Sequence, residues 1–211
     1  RFAVIGNPVS HTKSPEIHSL FGQQLGIALD YQAVQVDSGG LAQAVRNLQA
    51  GGSRGLNIPL PYKEQVSKLV DVLSDRARVA GAVNTLRFDS DETIFGDNTD
   101  GAGLVRDLEN NLKYVLENTR ILVVGAGGAV RGILGPLLSV RPHSLAIANR
   151  TVDRAVSLSR SFSHKDSVDV FSFAQLRGKT FDIVINGTSS SLNRERLRSE
   201  ERRVGKECRS R

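Results

Sequence analysis

The chain has 211 residues, 39% of them hydrophobic and 24% charged, which suits one large or two small folded domains with real cores. No apolar run approaches the roughly 20 residues of a membrane span, and no charged-then-apolar leader opens the chain, so neither a membrane nor a secretory role is expected. One cysteine, Cys208, and four scattered histidines exclude an internal disulfide and offer no metal-ligand spacing, which points to a metal-free protein of the reducing cytoplasm.

Strand and helix patterns alternate almost from the first residue. The absence of an initiator Met implies at least one residue in front of Arg1. Phe2–Ile5 is a short apolar run ended by Gly6-Asn7-Pro8, a buried strand and a turn. Ser14-Pro15-Glu16 reads as an N-cap, a first-turn proline and an early acid, with Ile17, Leu20, Phe21 and Leu25 at helical spacing. Tyr31–Val36 alternates like a strand, and Leu41, Val45 and Leu48 mark a helix stopped by Gly51-Gly52. Leu56–Leu60 is a brief strand broken by Pro59 and Pro61. Val66, Leu69, Val70 and Leu73 suggest a further helical face. Val83–Phe88 and Thr93–Phe95 read as strands around an Asp-Ser-Asp turn. This order predicts an α/β unit with a mostly parallel sheet covered on both faces.

A second unit begins near Arg120, after a helix-like junction at Gly103–Leu116. Ile121–Val124 is a continuous apolar run, followed by Gly125-Ala126-Gly127-Gly128-Ala129 and a helical stretch to about Val140, in which Pro136 threatens a kink. Leu145–Ala148 is the next strand, Asp153–Phe162 the next helix and Phe181–Ile185 a later strand. That is the opening of a Rossmann-like βαβ fold. Its glycines let the backbone approach a pyrophosphate, whose charge sits on the unpaired N–H groups of a helix start. Val130 replaces the third glycine of the usual fingerprint. Asn149-Arg150-Thr151 stands where an acid would hold the ribose of NAD. Arg150 and Arg154 suit a 2′-phosphate instead, which favours NADP.

In the first half, polar groups gather where strands give way to loops, the ends at which open α/β sheets bind ligands. Hydroxyls, amides, a lysine and a carboxylate there suit a small polyhydroxylated anion. Six stretches occur in order. They are Gly-Asn-Pro-Val-Ser-His-Thr-Lys-Ser-Pro at 6–15, Gly-Ala-Val-Asn-Thr at 81–85, Gly-Asp-Asn-Thr-Asp-Gly at 96–101, Gly-Ala-Gly-Gly-Ala at 125–129, Asn-Arg-Thr at 149–151 and Asn-Gly-Thr-Ser-Ser at 186–190. Together they resemble the shikimate dehydrogenase family, from about Arg1 to Asn193.

The resemblance implies NADPH-dependent reduction of 3-dehydroshikimate to shikimate in aromatic amino-acid biosynthesis. It makes Lys63 the catalytic acid/base, with Asp100 paired to it. A ketone being reduced needs a proton donor beside its oxygen, and a nearby carboxylate orients a lysine and biases its pKa. Thr12 and Ser14, with Lys13 between them, would hold the substrate carboxylate. Asn57, Asn84 and Asp100 would bind ring hydroxyls. Asp75 is a weaker candidate for a contact near the cofactor. Thr188 and Ser189 would lie near the nicotinamide. A homodimer is compatible with the resemblance.

Two departures from the family pattern stand out. Pro59 replaces a usual threonine, removing a hydroxyl and an N–H beside the substrate. Residues 194–211 hold eight Lys or Arg and four Glu, a net of +4 out of the chain's +6, with only Leu197 and Val204 as aliphatics. Basic character thus belongs to this tail, and no nucleic-acid partner is expected. The expected division is a substrate domain at 1–102, an incomplete NADP-binding domain at 103–193 and a disordered or artefactual non-family tail at 194–211. Two rivals are a quinate/shikimate dehydrogenase using NAD and a catalytically silent nucleotide-binding fragment.

Overall fold

The computed structural model describes residues 1–37, 39–162 and 168–188. The chain divides into two compact units, the first Arg1–Thr99 and the second beginning at Asp100.

In the first unit the elements are β1 (Phe2–Gly6), α1 (Ser14–Leu25), β2 (Tyr31–Gln35), α2 (Leu41–Ala50), β3 (Gly55–Asn57), α3 (Lys63–Val66), β4 (Val72–Leu73), α4 (Asp75–Ala80), β5 (Thr85–Phe88) and β6 (Ile94–Asp97). Their six strands form one sheet in the order β2-β1-β3-β5-β6-β4. Five strands run the same way and β5 alone runs against its neighbours β3 and β6. The sheet is therefore mostly parallel, as expected, with a β5–β6 hairpin at the Asp-Ser-Asp turn. Register places Asn57 opposite Thr85, and Thr85 opposite Asp97. Polar positions from motifs far apart in sequence so reach one end of the sheet. Beneath them Ile5, Leu56, Ile58, Tyr62, Val66 and Leu86 form a core of nearly inaccessible side chains. Burial of each such aliphatic contributes about 1.5–3 kcal/mol. The Tyr62 hydroxyl satisfies itself by donating to the Val36 carbonyl at 2.5 Å.

Two readings of this unit need correction. Ser14 is the first helical residue of α1, not its N-cap; Lys13 takes that place, and no side chain caps the helix. Instead Thr12 Oγ1 accepts from the Ser14 N–H at 3.3 Å and so closes the turn. The apolar stripe Ile17, Leu20, Phe21 and Leu25 does mark the helix, yet these side chains are exposed, from 44% to 72%. The periodic face at 66–73 is not one helix. α3 ends at Val66, the Ser67 hydroxyl bonds back to Glu64 O, and Val72–Leu73 pairs with Phe95–Gly96 as β4. The free edge of β6 supplies backbone partners that a local periodicity cannot register. α4 went unforeseen, although its cap is written in the sequence: Ser74 Oγ accepts from Ala77 N–H at 3.1 Å, and Gly81 ends it with φ +60°.

The second unit opens with α5 (Asp100–Arg106), which runs into a π-helical turn at Asp107–Asn111. There follow β7 (Arg120–Val124), α6 (Gly128–Ser139), β8 (Ser144–Ala148), α7 (Val152–Arg160), β9 (Val168–Phe171), a 3-10 turn at Phe173–Leu176 and β10 (Ile183–Asn186). All four strands are parallel in the order β10-β7-β8-β9. Ile121 and Val123 pack toward α6 and α7, while Leu122 and Val124 pack toward Leu176 on the opposite face. Burial on both faces explains why β7 reads as an unbroken apolar run. The helix α6 continues through Pro136 to Ser139. Proline has no N–H for the Gly132 carbonyl, and it is here that α5 comes closest. A Cβ built on Gly101 would lie 2.6 Å from Gly132 O and 2.6 Å from Pro136 Cγ, so only glycine fits.

Candidate functional site

In the first unit the sheet end carries a connected polar group. Thr12 Oγ1 donates to Ser14 Oγ at 3.1 Å, and the Ser14 hydroxyl lies beside that of Tyr31. The Tyr31 hydroxyl donates to Asn57 Oδ1 at 2.6 Å. The His18 ring stacks on the Tyr31 ring at 4.2 Å, and His18 Nδ1 lies 2.8 Å from Ser14 O. Burial pushes the Tyr31 phenol up to about 12, with the Ser14 hydroxyl acting against it, so Tyr31 keeps its proton at any working pH. Three expected residues, Thr12, Ser14 and Asn57, are thus brought together. Lys13, between the two hydroxyl residues, is exposed and pairs with Glu16 at 3.3 Å. Tyr31 and His18 were missed. Their pattern in sequence is that of any strand and any helix.

Asn84 sits just ahead of β5. Its Oδ1 accepts from Thr85 Oγ1 at 2.8 Å and from the Thr99 N–H at 3.0 Å, and its Nδ2 donates to Thr99 Oγ1 at 3.0 Å. Its backbone carbonyl receives the Ile58 N–H at 2.7 Å, just past Asn57. Lys63 is the first residue of α3, partly buried, and its carbonyl accepts the Val83 N–H at 2.8 Å. Asn57, Lys63 and Asn84 are therefore held by neighbouring backbone bonds of one unit. Pro59 lies between them, and its Cγ would stand 3.2 Å from a Cβ on Gly6. Asp75 is the exposed first residue of α4. Asp100 is the first residue of α5 and of the second unit.

Next to Asn84 is a clamp absent from the sequence reading. Asp97 Oδ1 accepts from Ser74 Oγ at 2.6 Å, Arg76 Nε at 2.7 Å and the Asn98 N–H at 2.7 Å, and Arg76 also reaches Oδ2. The Arg76 guanidinium above all holds the Asp97 carboxyl down at about 2, with the Ser74 and Asn98 bonds acting the same way against partial burial. Asn98 is the one buried polar side chain among the described residues and donates to Ala82 O at 3.0 Å. The clamp thereby ties the start of α4 to the end of β6, just ahead of Thr99.

In the second unit the glycine loop joins β7 to α6. Gly125 has φ +114°, a conformation side chains rarely adopt, and its N–H bonds Ala148 O at 2.8 Å. A Cβ on Gly125 would stand 3.2 Å from Gly187, which follows β10, while one on Gly127 would meet nothing within 4 Å. Gly127 precedes α6 in extended conformation, and no side chain caps the helix. The loop is thus closed behind and open in front, with the first N–H groups of a twelve-residue helix, those of Gly128, Ala129 and Val130, at the opening. Val130, in place of a third glycine, is fully buried, and a Cβ on Gly187 would lie 2.5 Å from its Cγ2. The close approach a third glycine normally allows is provided from the other strand. Thr188 turns back onto Asn186, with its hydroxyl donating to Oδ1 at 2.8 Å. Ser189 lies outside the described residues. At the end of β8, Asn149 Nδ2 donates to Thr151 O at 2.8 Å, and Arg150 and Arg154 are exposed. These residues fit a dinucleotide carrying an extra phosphate. Among the described residues no group of His, Cys, Asp or Glu is placed to hold a metal ion, and no helix is long and apolar enough to cross a membrane.

A parallel sheet with a glycine cradle where β7 meets β10, the point at which strand order reverses, defines a dinucleotide-binding α/β protein. Comparison with known proteins makes the assignment specific. Residues 4–86 match the sequence model of the shikimate dehydrogenase substrate binding domain, and residues 107–208 that of shikimate / quinate 5-dehydrogenase. The chain is 50% identical over 198 residues to the shikimate dehydrogenase (NADP(+)) of Aromatoleum aromaticum, covering 92% of this chain and 71% of that one. It superposes on an Ael1 enzyme from Pseudomonas putida with TM-score 0.87 and 42% identity, covering 93% of this chain and 72% of the other. A shikimate 5-dehydrogenase of Thermus thermophilus, solved with NADP(H) and shikimate, gives TM-score 0.80 and 31% identity over 90% of this chain and 68% of its own. The chain belongs to the shikimate dehydrogenase family.

Proposed function

We propose that the protein interconverts 3-dehydroshikimate and shikimate with NADP as the hydride carrier, a step of aromatic amino-acid biosynthesis in the cytoplasm. The observation that carries this reading is the glycine cradle at Gly125–Gly127 followed by Arg150 and Arg154 after β8, in a chain whose relatives are named NADP-dependent. NADP, when bound, gives the hydride to the carbonyl carbon or takes it back. Gly125 to Ala129 hold its pyrophosphate, with α6 N–H groups facing the charge. Asn149 and Thr151 shape the ribose end, and Arg150 and Arg154 pair with the 2′-phosphate. Thr188 and Ser189 border the nicotinamide, and Asp75 is the weakest of the assigned contacts.

On the substrate side, Thr12, Lys13 and Ser14 take the carboxylate. Asn57, Asn84 and Asp100 take the ring hydroxyls. Lys63 gives its ammonium proton to the carbonyl oxygen as the carbon is reduced, and as an amine it removes the hydroxyl proton in the reverse direction. The family resemblance gives Asp100 the role of the carboxylate paired with this lysine.

The test measures NADPH formation from shikimate by the 211-residue chain and by the chain extended to the length of its relatives. Lys63→Ala is expected to lower kcat by about 10²–10⁴-fold while leaving the KM for NADP unchanged. Activity that survives Lys63→Ala removes the lysine from the mechanism. No activity with shikimate in either protein removes the function itself.

A further inference from the structure

We propose that Tyr31 is a positioning residue that fixes which end of the Asn57 carboxamide faces the substrate. This inference rests on the reading that Asn57 binds a ring hydroxyl. An amide side chain can present its oxygen or its NH₂ group, and the two recognise opposite partners. The Tyr31 hydroxyl has one proton and spends it on Asn57 Oδ1 at 2.6 Å. Asn57 Nδ2 is then the end left over. It makes no hydrogen bond among the described residues, and Asn57 is only partly buried. Position 57 is thereby set as a donor, suited to a substrate hydroxyl or carbonyl oxygen.

Tyr31 is itself well held. Its ring stacks on His18 at 4.2 Å with the planes 16° apart, and the Ser14 hydroxyl lies beside its own. Ser14 is oriented by Thr12 and by its own place at the start of α1. One phenol thus lies between the two hydroxyls assigned to the substrate carboxylate and the amide assigned to the ring. The proton also stays in place, because burial carries the phenol far above neutral pH. Tyr31 touches no reacting atom in this scheme and acts only through Asn57.

Tyr31→Phe keeps the ring and its stack on His18 and removes only the donor. In shikimate oxidation it should raise the KM for shikimate roughly tenfold, the upper end expected for one neutral hydrogen bond, with kcat and the KM for NADP changed less than about twofold. In an Asn57→Ala background Tyr31→Phe should add nothing, an interaction a merely structural tyrosine would not show. Tyr31→4-aminophenylalanine, which restores an N–H donor, should return the KM toward that of the parent. If Tyr31→Phe does not fold, 4-aminophenylalanine compared with 4-methoxyphenylalanine at position 31 gives the same donor contrast. A Tyr31→Phe protein with the parent's KM, or one whose defect is equally large with Ala at position 57, overturns the proposal while leaving Asn57 as a ligand. An Asn57→Ala protein with the parent's KM overturns the underlying reading instead.

Discussion

Asp97→Asn tests whether the Asp97–Arg76–Ser74 clamp stabilises the first unit through its charge. The side chain keeps its shape and loses the negative charge. The Asp97 carboxyl is drawn from the ordinary aspartate value of 3.8 to about 2. At about 1.4 kcal/mol per pKa unit this corresponds to an upper bound of about 2.5 kcal/mol. The Arg76 side chain is 43% exposed, so solvent screening reduces the expected figure to about 1–1.5 kcal/mol. Because the folded-state pKa lies below the unfolded one, the contribution is complete above about pH 4 and disappears as pH falls through 2. Urea unfolding followed by circular dichroism at pH 7 should therefore place Asp97→Asn below the parent by that amount. The two proteins should converge as pH approaches 2. Asp182, held down to about 2 chiefly by Arg120, titrates in the same window in both proteins and cancels from the difference. Equal midpoints at pH 7, or a difference that persists undiminished at pH 2, would refute the electrostatic account.

Two further outcomes bear on the cofactor cradle. Arg150→Ala and Arg154→Ala should each raise the KM for NADP by about tenfold and leave any turnover with NAD unchanged, since only NADP carries the 2′-phosphate. An equal loss with both cofactors in steady-state kinetics would count against that pairing. Gly187→Ala would place a methyl 2.5 Å from Val130 Cγ2 and should cost about 1–3 kcal/mol of stability along with NADP affinity. Adding Val130→Ala should restore much of both, as read by thermal unfolding and cofactor titration; failure of the pair to recover would mean that the two residues do not share this contact.

Much of the second unit was legible because its signals are local. The apolar run at 121–124 reflects burial on both faces of β7, and the glycines after it reflect backbone geometry at Gly125. Both leave a mark within a few consecutive residues. The end of α6 was legible too, and the helix runs on through Pro136 to Ser139. In the first unit the residues Thr12, Ser14, Asn57, Lys63 and Asn84 stood out as polar groups at strand ends. Their arrangement did not. β4 was hidden in a helical spacing because a two-residue strand exists only through the edge of β6.

By itself, then, the sequence determined the alternation of elements and the glycine cradle, both encoded by short-range pattern, while the candidate site residues came from the resemblance of ordered motifs to a family. Only the tertiary structure decided that Tyr31 would meet Asn57, 26 positions away, that Asp97 would take Arg76 and Ser74, and that Gly187 would make room for Val130. Each of these depends on strand order and register, which bring distant positions within bonding distance and leave no trace in the neighbouring residues.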